Sequence, residues 1–110
     1  MTFKTMAQPE LTFIYEITLF ERFKHQSMWT EREHKIHQAH IEYLDSLTRN
    51  RTLLLAGITD QGMVDHQGMI ILQTDSYEEA WDIIQKDPSV KKGMMSARIR
   101  PFQIYFKSAD

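Results

Sequence analysis

At 110 residues and 13.1 kDa the chain has room for one domain with one ordinary hydrophobic core. Its composition, 42% hydrophobic, 11% aromatic and 25% charged, is that of a globular protein rather than a disordered or fibrous one. The absence of cysteine excludes disulfide scaffolds, thiol catalysis, iron–sulfur clusters and thiolate zinc sites, and a net charge of −2 argues against nucleic-acid binding.

In chain order, residues 1–10 read as an N-terminal tail ended by Pro9. They contain no apolar stretch of signal-peptide type, and no apolar run in the chain approaches the length of a membrane span. The expectation is therefore a cytoplasmic protein with no membrane partner. Leu11, Phe13, Tyr15, Ile17 and Leu19 alternate with period two and predict a strand over 11–20. A polar loop follows over 21–29. Thr30 with Glu33 has the spacing of a capping box and opens a helix that runs to Arg49, with Asn50 as a left-handed stop. Ile36, His40, Tyr43, Leu44 and Leu47 fall within about 100° of one another on that helix, so this stripe faces the core.

Residues 52–58 read as a buried strand, 59–67 as a hairpin loop and 68–73 as the next strand. Ser76 with Glu79 opens a second helix, whose apolar positions Tyr77, Ala80, Trp81 and Ile84 follow helical spacing. Pro88 closes that helix by pushing Asp87 out of helical geometry. A loop containing Gly93 leads to a last strand over 98–106, where Pro101 implies a sheet edge or a bulge. The order β-α-β-β-α-β is the ferredoxin-like arrangement of an α+β protein: a four-stranded antiparallel sheet, both helices on one face, strands one and three central. The central strands carry apolar residues on both faces, which predicts a homodimer formed sheet against sheet.

Four of the five histidines (His25, His34, His37, His40) fall within sixteen residues. Helical phase separates them: relative to His40, His37 lies about 60° away at the stripe's edge and His34 about 120° away on the polar side. No metal site is expected, because the spacing is wrong for a helical zinc pair and no thiolate is present. His25 and His66 fall in loops and read as solvated. His40 lies inside the apolar stripe, where its ring needs a hydrogen-bond partner; it is either a satisfied core histidine or a general base at a pocket. Asp87 sits where a helix macrodipole disfavours negative charge, so it is either plain turn chemistry or the partner of a cation or donor such as His40. Tyr43, one turn beyond His40, is a weak candidate for substrate binding and a stronger one for the core. No phosphate cradle, dinucleotide fingerprint, nucleophile elbow or RNA-binding signature is present, so no cofactor and no nucleic acid is expected. Lys91, Lys92, Arg98 and Arg100 form a basic cluster, read as a solvated rim that could attract an anion.

The run from His40 through the leucine-rich helix to Ala56-Gly57 resembles the signature of the YCII-related proteins. So do the Ser-x-Glu-Glu-Ala pattern at 76–80, Asp87-Pro88, Gly93 and the closing Pro101-Phe102. The chain differs from that pattern at Ile58, where a proline is usual, and in its longer, more charged loop before His40. The resemblance implies a single domain over 11–107, a dimeric α+β barrel built from ferredoxin-like protomers, and a His–Asp dyad carried onto His40 and Asp87. It also points to a cofactor-independent isomerase, lyase or dehalogenase acting on a small organic molecule. The alternatives are a non-catalytic dimeric module that binds a small ligand or a protein, and, third, an oxygen-using monooxygenase of the same architecture.

Overall fold

The computed structural model describes residues 11–108; the expected N-terminal tail lies outside them. The strands are β1 (Leu11–Leu19), β2 (Leu53–Thr59), β3 (Gln67–Thr74) and β4 (Met95–Pro101). The helices are α1 (Glu31–Arg49), α2 (Tyr77–Gln85) and the single turn α3 (Pro88–Lys91). Two short 3-10 turns, Glu21–Phe23 and Gln26–Met28, lie between β1 and α1. The sheet order is β2-β3-β1-β4 with every pairing antiparallel, so β1 and β3 are central as their two-faced apolar content requires.

The helices cover one face. Phe13, Tyr15, Ile17 and Leu19 of β1 and Ile70 and Leu72 of β3 point into that core, where they meet Ile36 and Leu47 of α1 and Ala80 and Ile84 of α2. The opposite face carries no helix. Register places Ile14, Ile71, Leu55 and Arg100 side by side on it, with Glu16 and Met69 in the next row. Glu16 is buried there and accepts from Nε and Nη2 of Arg100 at 3.0 and 2.8 Å.

Both helix starts follow from their caps. The Glu33 carboxylate accepts from the Thr30 backbone N–H at 2.8 Å and from its hydroxyl at 2.7 Å, and Ser76 Oγ accepts from the Glu79 N–H at 3.0 Å.

Three sequence expectations need correction, for Asn50, β2 and the last strand, and two are extended, for the α2 stripe and Asp87. The left-handed residue that ends α1 is Arg51 (φ 67°) and not Asn50, whose side chain instead accepts from the Thr52 N–H at 3.0 Å. Bonds from Thr52 N to Leu47 O and from Arg51 N to Thr48 O complete the termination. Strand β2 is an edge strand that keeps only Leu53 buried: Leu55 lies on the helix-free face, and Ile58 lies beyond the part of the strand that α1 covers, so both stay exposed. Of the α2 stripe, Ala80 and Ile84 are buried while Tyr77 and Trp81 lie at the exposed rim. Asp87 does not merely end α2: it caps α3, where its carboxylate accepts the Ser89 N–H. The last strand starts three residues earlier and ends five residues earlier than expected, since Met95, Ala97 and Ile99 supply the alternation facing the core. Phe102, Tyr105 and Phe106 follow it as exposed aromatics, and Pro101 closes an edge strand.

Candidate active site

Three elements converge under α1. Period-two alternation turns Tyr15 of β1 into the core, the apolar stripe of α1 carries His40 inward, and the start of α3 delivers its N-cap Asp87 and its Ser89. All four side chains are buried. His40 Nδ1 lies 2.8 Å from both carboxylate oxygens of Asp87. A carboxylate only accepts, so Nδ1 carries the hydrogen and Nε2 keeps its lone pair in the neutral ring. Asp87 is held from three further directions: the Tyr15 hydroxyl donates at 2.7 Å, and the Ser89 backbone N–H and hydroxyl each donate at 2.9 Å.

This network decides the charge. Burial by itself pushes the Asp87 carboxyl up, but the hydrogen bond and charge of His40, then Tyr15 and the Ser89 N–H, outweigh it and hold the group below the usual carboxylate value. Burial and the adjacent carboxylate push the Tyr15 hydroxyl well above the ordinary tyrosine value, so it remains a donor. Asp87 is therefore an anion whose oxygens are all engaged, and it fixes the tautomer and orientation of His40.

A cavity of about 240 Å³ opens beside His40. Its walls are mostly apolar: Ile17, Leu19, Ile41, Leu44, Ile58 and Ile70. Its only polar side chains among the described residues are His37, His40 and His66. Gly68 forms part of the floor, and a Cβ there would stand 2.7 Å from Ile17 Cγ1, so glycine is what makes room for the Ile17 side chain in the cavity wall. The cavity adjoins an outer recess of about 490 Å³, with which it shares His37 and His66. The loop after β1 and the β2–β3 hairpin wall that recess, joined by Lys24 Nζ to Asp65 at 2.9 Å.

The structure sorts the candidate residues. It brings His40 and Asp87 together. Tyr43 lies apart: its hydroxyl donates to the Ile83 carbonyl at 2.6 Å, burial pushes it up to about 12, and it does not line the cavity. His25 and His34 are exposed, but His66 is half-buried, because the hairpin folds back over the cavity and its Nδ1 sits 3.0 Å from the Met63 carbonyl. None of Lys91, Lys92, Arg98 and Arg100 lines the cavity; the two arginines stand on the exposed edge strand and Arg100 is bound to Glu16. Tyr15 and Ser89 were not singled out from sequence. A hydroxyl inside an apolar strand face, and a serine two residues after a capping aspartate, are the signals that point to them.

A ferredoxin-like α+β domain with a buried His–Asp pair at the wall of a small apolar cavity defines the class of protein. The chain belongs to the YCII-related family, whose family model matches residues 15–103. The fold is shared with the 5-chloro-2-hydroxyhydroquinone dehydrochlorinase of Burkholderia phenoliruptrix AC1100, solved in complex with 2,5-dihydroxybenzoquinone. That likeness has a TM-score of 0.64 at 15% identity over 84% of this chain and 94% of the other. No curated protein sequence matches the chain. No helix among the described residues is long and apolar enough to cross a membrane.

Proposed function

We propose that this chain is a cofactor-independent enzyme of the isomerase, lyase or dehalogenase type acting on a small organic molecule, with His40 as general acid/base and Asp87 as the residue that positions it. The observation carrying this reading is the direction of the imidazole. Nδ1 is occupied by Asp87, while Nε2 has no protein partner among the described residues and belongs to a ring that lines the cavity. A core histidine kept only for packing has no need of an adjoining void.

In the proposed step, His40 Nε2 removes a proton from substrate carbon or oxygen. The released electron pair either forms a new double bond as a leaving group departs with its own pair, or moves into a conjugated carbonyl. In isomerisation the imidazolium returns the proton at another atom. Asp87 stabilises the imidazolium without becoming protonated. The fold shared with a dehydrochlorinase, whose reaction by name removes a proton and a chloride, supports this class. Two copies are further proposed to associate through the helix-free sheet faces, where Leu55, Met69 and Ile71 leave apolar surface uncovered.

The test is solvent deuterium incorporation across a panel of small cyclic ketones, lactones and halogenated phenols, with chloride release followed in parallel. Wild type is expected to exchange or eliminate on at least one compound, and His40→Asn to lose about 10²–10⁴-fold of that rate with an unchanged near-UV dichroism spectrum. A variant that keeps the rate removes the base; one that unfolds without any loss specific to substrate makes His40 structural and favours a non-catalytic ligand-binding module.

A further inference from the structure

His37 lines the cavity beside His40, yet the dyad makes no use of it. It stands on α1 one turn before His40, with the two ring centroids 6.0 Å apart and the planes tilted by 41°. Its other ring neighbour is Trp29 at 5.4 Å, whose indole is itself fixed by donating Nε1–H to the Phe23 carbonyl at 2.7 Å. No hydrogen bond holds either nitrogen of His37 among the described residues. No buried side-chain polar atom there lacks a partner, so the unbonded nitrogens of half-buried His37, like Nε2 of His40, border accessible space. Packing alone positions the His37 ring, and both its nitrogens are available to a proton.

His40 is 3% exposed and its Nδ1 is taken by Asp87, so a proton that Nε2 removes from a substrate has to leave through the cavity. Water reaches that cavity from the outer recess. Leu19, His37, Ile58, His66 and Met95 border both spaces, and only the two histidines among them can carry a proton. His66 makes no ring contact with His40 among the described residues, and its Nδ1 faces the Met63 carbonyl. His37 has the ring contact and two free nitrogens, at a separation that one bridging water spans.

We propose that His37 is a proton-relay residue that carries protons between His40 Nε2 and the water of the outer recess, and so resets the base between turnovers. The relay rests on the reading of His40 as a general acid/base. The Nε2–H bond of the His40 imidazolium breaks, its electron pair returns to Nε2, and through the bridging water a proton forms a new N–H bond on one nitrogen of His37. The other nitrogen of His37 then gives its hydrogen to a recess water or a buffer base, and the ring ends neutral. Burial first, then the charge of His40, followed by those of His34 and His66, holds His37 below its ordinary value. A charged His40 thus leaves His37 neutral and able to accept, and a protonated His37 gives its proton up readily. An elimination needs the relay once per turnover, whereas an isomerisation that returns the proton to the substrate does not.

The experiment reads proton transfer without a substrate, so it decides the relay even when no compound of a panel turns over. ¹⁵N-histidine-labelled protein is brought to the pH at which His40 is half protonated, and exchange between its charged and neutral forms is measured by ¹⁵N relaxation dispersion at Nε2. His37→Phe, which keeps a ring against Trp29 and removes both nitrogens, is expected to slow that exchange by about 10²-fold. Imidazole at millimolar concentration is expected to restore most of the rate in His37→Ala, which leaves space for it. His34→Phe, at the other ring that stands against Trp29 (5.3 Å), and His66→Phe are expected to leave the rate unchanged. The low-field Nδ1–H resonance of His40 should persist in all four variants, showing the dyad intact, and either His37 variant that keeps it carries the comparison. Unchanged exchange in His37→Phe, equal slowing in His66→Phe, or a loss in His37→Ala that imidazole does not restore overturns the relay and leaves the base in place. A His40 that never takes up a proton at Nε2 removes the base, and the relay with it.

Discussion

At the scale of single residues, Asp87 is the hub: one carboxylate receives His40, Tyr15 and both donors of Ser89. Spacing along the chain cannot reveal this, because Tyr15 is 72 positions away and His40 47. The helix C-terminus that disfavours a charge at Asp87 is answered in the structure by the next turn, whose start the residue caps. Two predictions belong here. The Asp87 carboxyl lies below its unfolded value of 3.8, so its contribution to stability is present above that pH and is lost as pH falls through the lower, folded value. Urea midpoints should therefore drop on acidification below the ordinary carboxylate range, and Asp87→Asn should flatten that part of the curve. Tyr15→Phe removes one donor to a buried anion and should cost about 1.5–3 kcal/mol in urea unfolding; a loss under about 0.5 kcal/mol would mean that Ser89 and His40 satisfy the carboxylate without it.

At the scale of elements, both long helices were legible because their caps and apolar stripes are local. Ser76 and Thr30 each find their partner three residues on. Less legible are β2, whose leucines predict burial although its edge position, a helix-free face under Leu55 and the limited reach of α1 leave its far half uncovered, and β4, whose start is obscured by Ser96 and Arg98 between core residues. Arg51 adopts φ 67° at the end of α1, a conformation that costs an L side chain and not glycine. Arg51→Gly is expected to raise stability by about 0.5–1 kcal/mol in chemical denaturation, against the usual destabilising effect of glycine. A lower midpoint would show that the arginine side chain has interactions outweighing its backbone strain. Gly68→Ala should act oppositely, since its Cβ has to displace Ile17 in the cavity floor.

At the scale of the whole molecule, one sheet face is packed and the other carries exposed Leu55 beside half-buried Ile71 and Met69, with Phe102, Tyr105 and Phe106 exposed beyond β4. The proposed dimer predicts a light-scattering mass near twice 13.1 kDa, and Leu55→Asp should shift it to the monomer; a monomeric wild type at micromolar concentration removes the proposal. The amino-acid sequence by itself determined the order of elements, the central strands and the inward direction of His40, because alternation, helical phase and capping act between residues a few positions apart. Tertiary structure alone decided that His40 meets Asp87, that Tyr15 and Ser89 complete the ring of donors, and that His66 reaches back over the cavity. Those contacts join β1, α1, the β2–β3 hairpin and the start of α3, which become neighbours only when the sheet closes under the helices. The crowding of four histidines on one helix and its preceding loop marks the site only in part: one of them forms the dyad, one more lines the cavity, and the third ring of the cavity comes from the far hairpin.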